Sequence, residues 1–464
     1  MRLRKRILWP AITVVVVAVA IGAAVSWNRR HQAPPQIITL SNGDQYRFVG
    51  ATYSTKNVPP VFAARLQRLL PKSVANWSRK YLRTDTSQFN QGETLDSPRL
   101  FVWFQRLGTN TPFSVTNLTA RLADESGVEG GASTYPAFAR SVAWTYAEFE
   151  VIPRRSRTLQ CTLYPFAVTP NAPNPVGQVT FANPAYGHFP QWQPEPMPTV
   201  RKDSDLEVRL DDLTTGHQAN PATILKPNGS WGLPIRKALR GQEALTSFDM
   251  SIISPPRSNE FWVLHSVKMS DATGNAIRDG WFGQDIFGYN EFGPRPTPLP
   301  PKRAYSESIQ GTLWPDENAW RLKLEFKRAL GFTSNELVTF PNVPIPKMGA
   351  TNNLHIVKTA GGCQIVLTQF VRKPDMIETI GGMPDNFMSR VRFEFPDRPA
   401  GVAFDIQNMT TDQGKPERYG WSSPDSGYLF LIKSIPSNAQ TMDLTWVVQR
   451  TRTVEFMVKP PKPD

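Results

Sequence analysis

The sequence predicts a mainly β protein of several antiparallel units behind one N-terminal transmembrane helix. Three observations predict it: apolar residues alternating with period two over short runs, an unusual load of proline, and one long uncharged stretch near the start.

Alternation is plain at Ala147-Phe149-Val151, Leu206-Val208-Leu210, Leu322-Leu324-Phe326 and Val391-Phe393-Phe395, each with polar or charged residues between. Side chains of a strand point to opposite faces in turn, so this pattern buries one face of a sheet and wets the other. Gly, Pro, Asn and Asp separate the runs, as in tandem antiparallel β-sandwich domains of the Ig-like or jelly-roll-like kind. The 43 Pro reinforce this reading, because proline breaks helices and central strands and favours short elements with stiff connections. No strand–helix alternation suggests a parallel sheet.

Residues 7–25 carry no charge, and at about 1.5 Å per residue a helix of that length spans the hydrocarbon core of a bilayer. Arg2, Arg4, Lys5 and Arg6 precede the stretch, and Arg29, Arg30 and His31 follow it. The cationic excess on the leading side places the N-terminus in the cytoplasm and the bulk of the chain outside it. A cleavable signal peptide is the competing reading, with Gly22, Ala23 and Ala24 as small residues for a peptidase, but its apolar region is usually only about 7–15 residues. Either way the protein is expected to be extracytoplasmic, and the anchor makes it a single-pass membrane protein.

The expected organisation is a membrane anchor with a basic leader over 1–30 and then a linker, β-hairpin and short helical pair over 31–98. Three β units follow, at 99–170, 171–345 and 346–464. Asn42-Gly43 marks the hairpin turn, since both residues accept positive φ. The helical segment near 60–82 rests on Val61, Phe62, Leu66, Leu69 and Leu70 at helical spacing after Pro59-Pro60. Pro-rich stretches around 170–200 and 341–353 set the later boundaries.

An internal repeat is predicted. Met269, Gly274, Arg278, Gly280 and Trp281 recur as Met409, Gly414, Arg418, Gly420 and Trp421 at a constant offset. Each copy follows an apolar run and precedes further strands, so the pattern reads as a strand, a glycine turn and a tryptophan re-entering the core. A fainter third copy lies at Asp124-Glu125-Ser126-Gly127.

Several function classes fall away. The formal charge of +13 is concentrated at the N-terminus: residues 1–30 hold six Arg or Lys and no acid, which leaves 46 cations against 39 acids on the rest. That mild excess argues against nucleic acid, and clusters such as Arg154-Arg155 with Arg157 read as solvated faces. There is no His-Glu-x-x-His, Gly-x-Ser-x-Gly, phosphate-binding loop or dinucleotide fingerprint. The five histidines, at 31, 188, 217, 265 and 355, form no ligand pair. Asp203, Asp205, Glu207, Asp211 and Asp212 gather oxygens suited to Ca²⁺, but their alternation with Leu206, Val208 and Leu210 puts Asp205 and Glu207 on a solvent face. Neither a metal, a cofactor nor a catalytic residue is therefore assigned. Cys161 and Cys363 each sit in an alternating apolar pattern and read as buried hydrophobes, with an inter-domain disulfide as the alternative that an oxidising compartment allows.

The best binding candidate is an insertion at 282–318, where the second unit uses 37 residues against five in the third, 422–426. It offers Phe282, Phe287, Tyr289 and Phe292 beside Asp285, Asn290 and Glu291, then a proline run. Long loops on a rigid β scaffold are disproportionately functional. Such aromatics anchor a protein partner, stack on sugar rings, or plug the open end of a sandwich. The leading expectation is a membrane-anchored protein that binds an envelope protein or organises the envelope, without catalysis. A glycan-binding protein reading polysaccharide is the alternative, and an extracytoplasmic hydrolase stands third.

Overall fold

The computed structural model describes residues 36–39, 43, 45–56, 95, 97–107, 118–139, 142–165, 175–218, 224–225, 231–232, 235–236, 245–253, 261–277, 303–380, 383–397, 399–414, 416–422 and 427–461. Every regular element among them is a β-strand, and every strand pairing is antiparallel. The described residues contain no helix long and apolar enough to cross a membrane. The expected span at 7–25 and the helical segment near 60–82 lie outside them.

The first assembly holds β1 (Ile37–Thr39), β2 (Gln45–Ser54), β3 (Arg99–Leu107), β4 (Leu118–Ala123), β5 (Glu129–Ala139), β6 (Val142–Phe149), β7 (Thr158–Pro165) and β8 (Gly177–Ala182). They form one sheet in the order β1-β2-β3-β6-β5-β4-β7-β8. Its two edges meet: the Gln36 side chain donates to Thr180 O at 2.9 Å and accepts from Thr180 N at 3.1 Å, and Gly177 lies under the Ile38 side chain. Inside the roll, Leu100, Val102 and Phe104 pack with Phe149, Leu159, Cys161 and Leu163. Phe101 and Trp103 point to the opposite face and are also fully buried, beside Tyr146. A strand buried on both faces reads as a continuous apolar run, which is why Leu100–Phe104 lacks alternation. The hairpin of β1 and β2 is paired as far as Thr39↔Gln45, and Asn42 of the turn expected at Asn42-Gly43 lies outside the described residues.

The second assembly contains β9 (Thr199–Asp203), β10 (Leu206–Gln218), β11 (Ile224–Leu225), β12 (Trp231–Gly232), β13 (Ile235–Arg236), β14 (Leu245–Ile252), β15 (Phe261–Asp271), β16 (Ala276–Ile277), β17 (Arg303–Gln310) and β18 (Trp320–Leu330). The sheet β13-β10-β14-β17, with β9 on β10, shares one hydrophobic core with the sheet β16-β15-β18. The third assembly contains β19 (Leu337–Pro344), β20 (Thr351–Ala360), β21 (Cys363–Ile380), β22 (Met383–Glu394), β23 (Val402–Thr411), β24 (Glu417–Ser422), β25 (Gly427–Ser434) and β26 (Thr441–Arg450). Its sheets β19-β26-β23 and β20-β21-β22-β25-β24 meet across Phe340, Phe393 and Trp446, whose rings pack edge-on.

The last strand, β27 (Arg452–Val458), leaves the third assembly and pairs with β18, from Trp320↔Val458 to Phe326↔Arg452. Sheet membership therefore crosses the boundary expected at 345/346 in both directions, since β19 pairs β26 of the third assembly. Pro341 and Pro344 suggested a joint there, yet β19 is an edge strand, where a missing N–H costs no ladder bond. Likewise β8 lies beyond the boundary expected at 170/171 but pairs β7 of the first assembly.

Candidate functional site

The most elaborate polar constellation among the described residues lies where the first two assemblies meet. It begins with two turns of one design. Asp124 Oδ1 accepts from Ser126 N (2.9 Å), Ser126 Oγ (2.6 Å) and Val128 N (3.0 Å), with Gly127 at φ 84°. Asp271 Oδ1 accepts from Thr273 N (2.9 Å), Thr273 Oγ1 (2.7 Å) and Asn275 N (3.1 Å), with Gly274 at φ 91°. Short Asp side chains tie up turn amides in this way, and the glycine supplies the left-handed backbone. At Thr411 a hydroxyl takes the carboxylate's place, accepting from Gln413 N at 3.2 Å ahead of Gly414 at φ 121°.

These turns include Gly274 and Gly414 of the expected repeat. Met269 and Met409 are both buried, and each faces a leucine across its sheet, Leu322 and Leu444. Arg418 and Trp421 lie on β24, paired with Ile432 and Phe430, and Gly420 falls in the irregular register between them. Arg278, Gly280 and Trp281 lie outside the described residues.

Four contacts lock the assemblies together. The Asn275 amide pairs with the backbone of Ile152, accepting from its N–H at 3.2 Å and donating to its carbonyl at 2.8 Å, as a neighbouring strand would. Arg154 donates to Thr273 O, and its guanidinium lies between the rings of Tyr53 (5.1 Å) and Phe189 (4.6 Å). The Trp314 indole donates to Asp124 Oδ2 at 2.7 Å, with its ring seated over Gly130. Arg155 grips Glu317 through Nε (2.9 Å) and Nη2 (3.1 Å), and reaches Phe189 O (2.9 Å) and Pro190 O (2.7 Å) with its remaining donors.

Glu317 is 9% exposed. Burial pushes its carboxyl above the usual range, opposed by the bond from Arg155, while Asp271 and Asp316 push it further up. Glu125, at the surface, is held below the usual range by hydrogen bonds from Thr158. The cluster Arg154-Arg155-Arg157 is thus not a solvated face: its first two members are consumed in the joint, and only Arg157 is exposed, bonded to the Tyr186 hydroxyl at 3.3 Å. No local feature of the sequence marks this role, because the partners lie 119 and 162 positions away.

An extended strap, residues 183–198, runs along the joint. Asn183 fastens its start by donating to Pro153 O (3.0 Å) and Ser156 O (2.8 Å), and Glu195 N donates to Met457 O at 2.7 Å. Its aromatics include Tyr186, Phe189 and Trp192. The rings of Tyr186 and His188 stand at 67°, and Arg321 covers one face of Trp192 at 5.0 Å. These neighbours do not make a flat stacking platform for sugar rings.

The sequence-predicted binding residues Phe282, Asp285, Phe287, Tyr289, Asn290, Glu291 and Phe292 lie outside the described residues. The later part of that insertion is not a loop: β17 pairs with β14 from Ile252↔Arg303 to Leu245↔Gln310, and Leu313, Trp314 and Glu317 are buried. Its residues Arg303–Gln310 show little apolar alternation because the face that carries Ile309 into the core also carries Tyr305 and Glu307, while Ser306 is buried on the opposite face. The carboxylates of 203–212 disperse into separate contacts: Asp203 accepts from Thr453 N and Asp205 pairs Arg452, both across to the C-terminal strand, while Asp211 pairs nearby Arg209. Among the described residues no three His, Cys, Asp or Glu stand together in a way that could hold a metal. Cys161 and Cys363 are both free and lie in separate cores.

Fold and joint together define a mainly β, multi-sheet protein whose first two assemblies are locked by buried polar contacts. No protein-family model matches the chain, and no curated protein sequence matches it.

Proposed function

We propose that the protein is a membrane-anchored, extracytoplasmic β-sandwich scaffold that binds a partner protein or organises the envelope, without catalysis of its own. The observation that carries this reading is the joint. Arg155, Trp314 and Asn275 fix one β assembly against the next, as suits a rigid body that presents its loops at set positions. The uncharged stretch at 7–25 behind a basic leader supports the address. Loops on such a scaffold are the natural place for recognition, and 282–292 remains the aromatic-rich candidate.

Two measurements test the reading. A reporter fused at the C-terminus should be active only outside the cytoplasm; activity confined to the cytosol removes the address. Pull-down from envelope extracts should recover a partner with the full chain and lose it when 282–302 is replaced by a short Gly/Ser linker, leaving β17 intact. Equal recovery from both takes the loop out of the proposal.

A further inference from the structure

The edge of a sheet exposes a row of unpaired N–H and C=O groups that invite another strand, and folded proteins blunt such edges. The edges of the first assembly are tied to each other through Gln36 and Thr180, and β27 is covered where Glu195 N donates to Met457 O. The edge strand β19 carries Pro341 and Pro344, with a register break between Phe340 and Val343. By contrast β20, at the edge of its sheet, has no proline, no acid and a single lysine, Lys358. Thr351, Asn353, His355, Val357 and Thr359 are exposed along it. Apolar surface collects there too: Val357 is 43% exposed, the exposed Leu337 follows Asn335, whose carbonyl accepts from Gly361 N at the end of the strand, and the exposed Met348 sits in the turn that leads into it.

The hairpin turn fixes which backbone groups of β20 face outward. Gly361 (φ 55°) and Gly362 (φ 79°) form a two-residue loop with both residues left-handed, closed by the pair Ala360↔Cys363. The pair that closes such a loop exchanges both backbone bonds, and bonded pairs recur at every second residue, here Lys358↔Ile365 and Ile356↔Leu367. Val357 and Thr359 therefore turn their N–H and C=O away from β21, and no hydrogen bond among the described residues meets them there. A bulge between Asn353 and Ile356 then breaks the register and bends the strand, which confines an added ladder to 355–359.

We propose that β20 is a self-association edge: it pairs antiparallel with β20 of a second copy across a two-fold axis at Val357, joining two five-stranded sheets into one. Outward groups must meet outward groups, which leaves the axis at Val357, Lys358 or Thr359. An axis at Lys358 sets two ammonium groups directly opposite each other, and like charges so placed are destabilising. An axis at Thr359 runs out of strand at once, because Gly361 N is already bonded to Asn335 O. With the axis at Val357 the exposed valine packs on its own copy, Lys358 faces the second copy's Ile356, and Thr359 faces its His355. The edge is thus self-complementary in the register that its backbone requires. This inference rests on strand geometry and is independent of the compartment in which the chain resides.

Disulfide cross-linking of the purified full-length chain in mild detergent tests the pairing, and the native thiols stay out of it because Cys161 and Cys363 are buried. Two residues in a bonded antiparallel pair have Cα atoms about 5.5 Å apart, within the roughly 4.4–6.8 Å that a disulfide spans. Val357→Cys should oxidise to a covalent dimer about tenfold faster than Thr359→Cys, which is also exposed but lies opposite His355 rather than its own copy. Adding Thr359→Pro removes an outward N–H while sparing the bonds to β21, so it should slow the Val357→Cys cross-link about tenfold. Equal rates at 357 and 359 overturn the proposal without appeal to the proline variant. So does a Val357→Cys chain that stays monomeric when pure but cross-links to a different protein in an extract, which would give the edge to another partner.

Discussion

Arg155 and Glu317, 162 positions apart, face each other fork to fork across two β assemblies, with Nε and Nη2 of the guanidinium both on the carboxylate. Removing the arginine strands a buried carboxylate and two strap carbonyls. Arg155→Ala should therefore cost roughly 1–3 kcal/mol, less than a fully buried broken pair because the arginine keeps one side in solvent. Arg155→Lys should recover little, since a point charge cannot span two acceptors. Urea unfolding measures it, and a lysine variant as stable as wild type would contradict the fork.

Gly130 meets the Trp314 ring so closely that an added Cβ would lie 2.7 Å from Cζ3. Gly130→Ala should destabilise the joint by about 1–3 kcal/mol through overpacking. Combined with Trp314→Leu the penalties should fail to add, because the smaller side chain makes room. Strict additivity in the double-mutant cycle would mean that the contact is not the cause.

The two repeat glycines should respond unequally to the same change. Both adopt positive φ, so alanine strains each by about 1 kcal/mol. A Cβ on Gly274 would also meet Arg154 Nη1 at 3.0 Å, whereas one on Gly414 meets nothing within 4 Å. Gly274→Ala should thus be the costlier by thermal denaturation, and equal losses would remove the Arg154 contact from the account.

Phe456 lies on β27 but packs in the core of the second assembly. Phe456→Ala should cost about 3–5 kcal/mol and raise hydrogen exchange in β15 and β18, while β23 and β26 keep their protection. Loss concentrated in the third assembly would contradict the return of the C-terminal strand.

Cys161 is fully buried, and burial pushes its thiol up to about 12. At pH 8 only on the order of one thiol in 10⁴ would be ionised. Iodoacetamide should label it only after denaturation. Rapid labelling of the native chain would show that its core opens readily.

Local pattern determined much of this architecture. Leu206-Val208-Leu210 and Leu322-Leu324-Phe326 lie buried on β10 and β18, as alternation requires, because period two is a property of the strand itself. Gly274 and Gly414 announced turns for an equally local reason, the backbone angle that other residues resist. What the tertiary structure alone decided was partnership. Nothing near Arg154 and Arg155 reveals Thr273 or Glu317, nothing in 452–458 reveals β18, and the weak alternation of 303–310 hides a strand held by its neighbour β14. Burial energy rewards whichever surfaces meet, and which ones meet depends on the path of the whole chain rather than on spacing within any segment of it.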